Sequence, residues 1–198
     1  MRHFRTVCAG MLMLGLFMAA GVMYGQRMLP PAVPAYLAQM GGNFTLKSAT
    51  GTVHLSDFRG KVGLLYFGYS HCPDVCPAAL SVMAQAMRQI PQTQAGRIYG
   101  LFVSVDPRRD TPSYLQRYVS FFDARMVGAT GTPAQLSALA GDWKMDFSVP
   151  DVSADSHYSV SHSNFIYLIN AQGQVVALFD EKTLPDEMAL WMRRWLER

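Results

Sequence analysis

Hydrophobic positions divide this chain into one unbroken apolar stretch and a long patterned remainder. Residues 7–24 carry no charged side chain and are rich in Leu, Met, Ala and Gly, with Arg2 and Arg5 ahead of them and Gln26-Arg27 behind. That length suits a short membrane span and also overlaps the core of a signal peptide. Met18-Ala19-Ala20-Gly21 offers small residues for cleavage, but the apolar run continues through Val22 and Met23, so it reads as an uncleaved anchor. The positive residues ahead of it hold the N-terminus in the cytoplasm and place the rest outside. Leu29-Pro30-Pro31-Ala32-Val33-Pro34 then forms an extended, semi-rigid link. The expected organisation is an anchor at 1–27, a linker at 28–40 and one folded domain at 41–198.

Within that domain the patterns alternate between strand and helix. Residues 44–46 and 52–55, separated by Ser48-Ala49-Thr50-Gly51, predict a hairpin. The continuous apolar and aromatic run 61–69 predicts a strand covered on both faces. Residues 77–90 place Leu80, Val82, Met83, Met87 and Ile90 at helical spacing. A second buried strand follows at 98–105. Thr111-Pro112 and Thr132-Pro133 each supply an N-cap hydroxyl followed by proline at the first helical position. They open helices on either side of a short strand at 126–129. Residues 164–169 and 174–179 flank Asn170-Ala171-Gln172-Gly173 as a second hairpin, and an amphipathic helix closes the chain at 184–198. The order predicts an α/β domain with a central mixed sheet flanked by helices.

Composition narrows the function classes. The 198 residues are 50% hydrophobic and 12% aromatic, as a globular domain with a sizeable core requires. The net charge is +3, of which Arg2 and Arg5 supply two, and no Lys/Arg run occurs anywhere. The basic stripe that a nucleic-acid partner requires is therefore missing.

The chemistry centres on Cys72 and Cys76, which follow the first buried strand and have Pro73-Asp74-Val75 between them. A cysteine pair where a strand gives way to a helix points to a thioredoxin-like fold. A helix N-terminus there stabilises thiolates, the form that attacks disulfides and binds soft metals. Residues four apart share one helical face, so both sulfurs can point to one spot. That suits Cu(I), and it also allows a disulfide. A loop this short restrains the unfolded chain little, so a purely structural disulfide is weakly motivated. Metal binding, redox exchange and an inert pair all stay open on spacing alone. A third ligand would favour metal binding, although a lone histidine on a loop is more often a surface or hydrogen-bonded structural residue. His3 is on the cytoplasmic side, and His71 adjoins Cys72 with its backbone aimed elsewhere. His162, just before a strong strand, lies where a thioredoxin-like sheet brings a loop beside the cysteine-bearing helix end. His157 is a weaker candidate in the same polar loop. Asp74 reads as an acid complementing the helix dipole. Asp106 and Asp110 read as loop and cap architecture. Cys8 is structurally neutral. Among the 13 methionines, many lie in the apolar N-terminal run and others at helix core positions, so they pack rather than carry metal.

Several ordered blocks extend this picture: Gly41-Gly42-x-Phe44-Thr45-Leu46, Asp57-x-Arg59-Gly60-Lys61, and Tyr66-Phe67-Gly68-Tyr69-x-His71-Cys72-Pro73-Asp74-Val75-Cys76-Pro77. Further along come Ser104-Val105-Asp106-Pro107-x-Arg109-Asp110-Thr111-Pro112, Gly128-x-Thr130-Gly131-Thr132-Pro133 and Val160-x-His162-Ser163. In order and spacing they resemble the Sco/SenC copper-delivery proteins of cytochrome c oxidase assembly, from Gly41 to the C-terminus. The resemblance implies one copper ion per chain, Cu(I) or Cu(II), bound by Cys72, Cys76 and His162. It implies a metallochaperone rather than an enzyme, serving the dinuclear copper site on subunit II of cytochrome c oxidase and loaded by an upstream periplasmic copper donor. With the anchor, the expected location is a bacterial inner membrane with the domain facing the periplasm. A thiol-disulfide reductase using Cys72 and Cys76 is the alternative; a disulfide between the two would abolish metal binding. Two positions depart from the family pattern. Ser161 stands where many relatives carry an acid before the ligand histidine, and Ser70 replaces a more usual threonine.

Overall fold

The apolar run after Lys61 becomes the middle of a seven-stranded sheet. A computed structural model describes residues 32–151, 157–180 and 182–197. The strands are β1 (Thr45–Ser48), β2 (Gly51–His54), β3 (Val62–Gly68), β4 (Ile98–Ser104), β5 (Met126–Thr130), β6 (Phe147–Ser148), β7 (Ser161–His162), β8 (Ile166–Ile169) and β9 (Val175–Phe179). The helices are α1 (Val75–Arg88), α2 (Pro112–Ser120), α3 (Pro133–Trp143) and α4 (Pro185–Leu196). Short 3-10 turns occupy Leu37–Gln39, Leu55–Phe58 and Gln92–Arg97.

The sheet order is β2-β1-β5-β4-β3-β8-β9, with β3, β4 and β5 parallel and the outer pairings antiparallel. It is the mixed sheet the sequence predicts. Helices α1 and α4 pack together, while α2 lies against β5 and β1. Every residue of β3 and β4 is buried, which is why both read as unbroken apolar runs. Burying side chains such as Leu64, Leu65 and Phe67 contributes about 1.5–3 kcal/mol each. This core fixes the C-terminal end of β3, from which the cysteine loop departs.

Both predicted Thr-Pro starts form as expected. Thr111 accepts the Tyr114 N–H at 3.3 Å, and Thr132 accepts that of Gln135, whose side chain bonds back to the Thr132 N–H at 2.8 Å. Three details differ from expectation. The first hairpin is tighter, because pairing continues to Ser48 and Gly51 and leaves only Ala49-Thr50 in the turn. Helix α1 begins at Val75 rather than 77, so Cys76 lies in its first turn. A two-residue antiparallel pair, β6 with β7, joins Phe147 to His162 and Ser148 to Ser161, and no periodic pattern announces it.

Residues Val33–Arg198 form one compact unit. Leu37 is already buried, so packing begins ahead of Gly41-Gly42. The predicted anchor and the first part of the proline-rich link lie outside the described residues. Among the described residues no helix is long and apolar enough to cross a membrane.

Candidate metal centre

Both cysteines are free thiols at the junction of β3 and α1. Cys72, just ahead of the helix, is half-buried, and its Sγ accepts the Cys76 N–H at 3.4 Å. Its sulfur therefore occupies the capping place. Asp74 is the residue at the cap position, but its exposed side chain makes no capping hydrogen bond. The expected acid at the helix end is thus present without a capping bond, and the thiol fills that role instead. Cys76 is fully buried. A methyl group at Gly68 would come within 2.8 Å of its Sγ, so the last residue of β3 must lack a side chain to leave the sulfur its place.

The two thiols are electrostatically unlike. Burial raises the pKa of Cys72, but the backbone N–H groups of Cys76, Asp74 and Val75 outweigh it and bring the net value below that of an ordinary thiol. Burial pushes Cys76 up to about 12; the neighbouring Cys72 sulfur adds to this, and the Tyr69 N–H relieves it in part. Cys72 is consequently the first thiolate, and Cys76 keeps its proton until a cation arrives.

His162 enters from β7, 86 residues downstream, with its Nε2 3.3 Å from Cys76 Sγ. Its Nδ1 lies 3.1 Å from the Ser163 carbonyl. A carbonyl only accepts, so Nδ1 carries the proton and Nε2 presents its lone pair toward the sulfurs. The Cys76 S–H then donates to Nε2. The Ser163 carbonyl thus orients the ring at a place where Ser161 supplies no carboxylate. The rings of Tyr66 and Tyr69 each meet the imidazole edge-on at 5.9 Å. Burial lowers the His162 pKa, with the Ser163 carbonyl opposing. The ring therefore remains neutral, and able to ligate, to lower pH than an ordinary histidine.

Ligand atoms of Cys72, Cys76 and His162 all lie within 4.8 Å of one another; among the described residues they are the one such group of three His, Cys, Asp or Glu side chains. A soft cation fits this set, since two thiolates and a neutral imidazole supply three donors around one point. The remaining candidates lie elsewhere. His71 turns outward, hydrogen-bonded to Ser70 Oγ at 2.9 Å and stacked on Tyr114. His157 is exposed and outside the cluster. Asp110 is fully buried and braces the cysteine loop from beneath. Its carboxylate accepts the Ser70 N–H at 2.9 Å, the Ser104 hydroxyl at 2.5 Å and the Ser70 hydroxyl. Asp106 is also buried and pairs with Arg109.

Sequence reasoning left out the aromatic support. Tyr66 donates to Asn164 Oδ1 at 2.7 Å and stands 3.9 Å from Cys76 Sγ, and burial holds its hydroxyl protonated. The hydroxyl of Tyr69 faces Val160, Ser159 and Cys72. The alternation of the strand carries Tyr66 into the core, but only the folded sheet shows that the site lies above it.

The SCO1/SenC family model matches residues 33–197. The chain is 39% identical over 139 residues to the mitochondrial protein SCO2 of Saccharomyces cerevisiae, covering 69% of this chain and 46% of that protein. It spans about half the length of several such mitochondrial relatives. It is 32% identical over 157 residues to an SCO2-like protein of Rickettsia conorii, covering 78% of this chain and 76% of that protein. Among solved structures, the copper-bound ScoI of Bradyrhizobium japonicum matches with a TM-score of 0.70 and 35% identity, over 79% of this chain and 99% of that one. With the sheet, the cysteine pair and the distant histidine all in place, this chain belongs to the SCO1/SenC family.

Proposed function

We propose that this protein is a membrane-anchored copper metallochaperone that binds one copper through Cys72, Cys76 and His162. The observation that carries the proposal is the convergence of two thiols and an oriented imidazole within 4.8 Å. The copper-bound relatives of the same fold support it. In this proposal copper comes from an upstream periplasmic donor and goes to the dinuclear copper site of cytochrome c oxidase subunit II. The domain faces the periplasm from an N-terminal anchor in a bacterial inner membrane. Loading replaces the proton that Cys76 shares with His162, and transfer proceeds by exchange of ligands. No substrate bond is broken. The test is anaerobic copper titration of the reduced full-length chain in detergent, in a Cys8→Ser background, beside His162→Ala. One copper per chain is expected, with Cu(II) binding lost and Cu(I) binding weakened in the variant. Copper retained undiminished in both oxidation states would remove His162 from the ligand set.

The unequal acidity of the two thiols favours a second reading, thiol-disulfide exchange. The Cys72 thiolate would attack a partner disulfide, forming a mixed disulfide and releasing one partner thiolate. Cys76, losing its proton, would then attack Cys72 Sγ and release the other, leaving the partner reduced and this pair oxidised. Reductase activity that survives His162→Ala at full rate, with no copper bound by the unmodified chain, would select this reading.

A further inference from the structure

Arg109 is nearly buried, with 11% of its side chain exposed, yet its side-chain hydrogen bonds and ring contacts go to Asp106, Tyr158 and Tyr69 and not to the three ligands. Its Nε donates to Asp106 Oδ2 at 2.6 Å, and its NH1 donates to the Tyr158 carbonyl at 3.0 Å. The guanidinium lies 3.6 Å over the Tyr158 ring and 5.6 Å from that of Tyr69. The Tyr158 hydroxyl closes the circle by donating to Asp106 Oδ1 at 2.9 Å. One cation thus holds a buried carboxylate from the loop after β4 and both the backbone and the ring of the residue four positions before His162. A guanidinium can do all three at once because its fork is planar and its face stacks; an ammonium cannot. On the far side of His162, the arm is held by the Ser163 N–H to Asp146 carbonyl bond at 2.9 Å and by the β6–β7 pair.

We propose that Arg109, with Asp106 and Tyr158, is a positioning residue that clamps the His162 arm and so sets how strongly the site holds Cu(II) relative to Cu(I). The inference rests on the copper reading above. Two thiolates suffice for Cu(I), whereas Cu(II) depends on the nitrogen donor, so a loosened arm weakens the oxidised ion selectively. The cysteine pair is held chiefly by β3, α1 and Asp110, and none of the hydrogen bonds of the Arg109 side chain reaches it.

The test uses the full-length chain in detergent, in a Cys8→Ser background, carrying Arg109→Lys or, separately, Tyr158→Phe. Arg109→Lys keeps the charge beside Asp106 but loses the fork and the stack, which protects folding. In the copper-free protein, backbone amide exchange over residues 158–163 should accelerate while that of α1 stays unchanged. Cu(II) affinity, followed by the sulfur-to-copper charge-transfer band, should fall about 10–100-fold, with Cu(I) affinity changed by less than about threefold. Tyr158→Phe keeps the ring and the carbonyl but loses the hydroxyl bond to Asp106, so it should shift both measurements in the same direction by less than Arg109→Lys does. Unaltered exchange and unaltered Cu(II) affinity in Arg109→Lys would overturn the clamp, and so would a fall in Cu(I) affinity equal to that in Cu(II). Should the unmodified chain take up no copper, the proposed function fails, and the exchange measurement alone then decides whether Arg109 secures the arm.

Discussion

The two halves of the metal centre are secured in opposite ways. Cys72 and Cys76 come from a single strand-to-helix junction, rooted in the fully buried β3 and braced by Asp110. His162 arrives from 86 residues away on an arm held by a two-residue strand pair, a few hydrogen bonds and one guanidinium. The first half belongs to the hydrophobic core and yields only when the fold yields. The second depends on polar contacts of the kind that open locally and independently. A rigid pair of sulfurs beside a releasable nitrogen suits the ligand exchange that the proposed function requires.

Removing a fixed ligand tests this contrast most severely. Cys76→Ser should abolish copper binding, as measured by metal analysis of the purified chain; copper retained at one per chain would show that Cys72 and the arm suffice without it. The pH dependence comes next. Each Cu(I) displaces the proton of Cys76, whose pKa burial pushes up to about 12, so affinity should rise about tenfold per pH unit through the neutral range. The slope should double only below the lowered pKa of Cys72, where two protons leave. A slope of two persisting to pH 9 in chelator competition would mean that the thiols are alike. Smaller again is Gly68→Ala. Its methyl group meets Cys76 Sγ at 2.8 Å and should destabilise the fold by about 1–3 kcal/mol in denaturant melts. An unchanged midpoint would show that the sulfur has room to shift. Asp74→Asn should have the least effect, within about 0.5 kcal/mol, because the carboxylate makes no capping bond. A larger loss would show that the charge of Asp74 complements the helix dipole.

This division also explains how much the sequence could reveal. β3 and β4 are buried on both faces, so their apolar runs announce them, and the Thr-Pro pairs mark α2 and α3 through local hydrogen bonds. The cysteine pair is legible for the same reason, being only four residues across. The arm is not. Its supports join Tyr158 to Asp106 across 52 residues and to Arg109 across 49, and no periodic pattern encodes such contacts. The ordered motif blocks pointed to His162, but nothing near it in the chain indicates that Ser163 would orient its ring. Asp106 and Asp110 read correctly as architecture. The burial of both, and the division of work between them, emerge only once β4 brings Ser104 beneath Ser70.

The hydrogen bond between the Cys76 thiol and His162 Nε2 has one more consequence. Many small metal sites depend on their ion for their fold, because their ligands have nothing else to satisfy them. Here the buried thiol and the imidazole satisfy one another through a shared proton. The ligand geometry is therefore set by the fold itself and does not need an ion to assemble it.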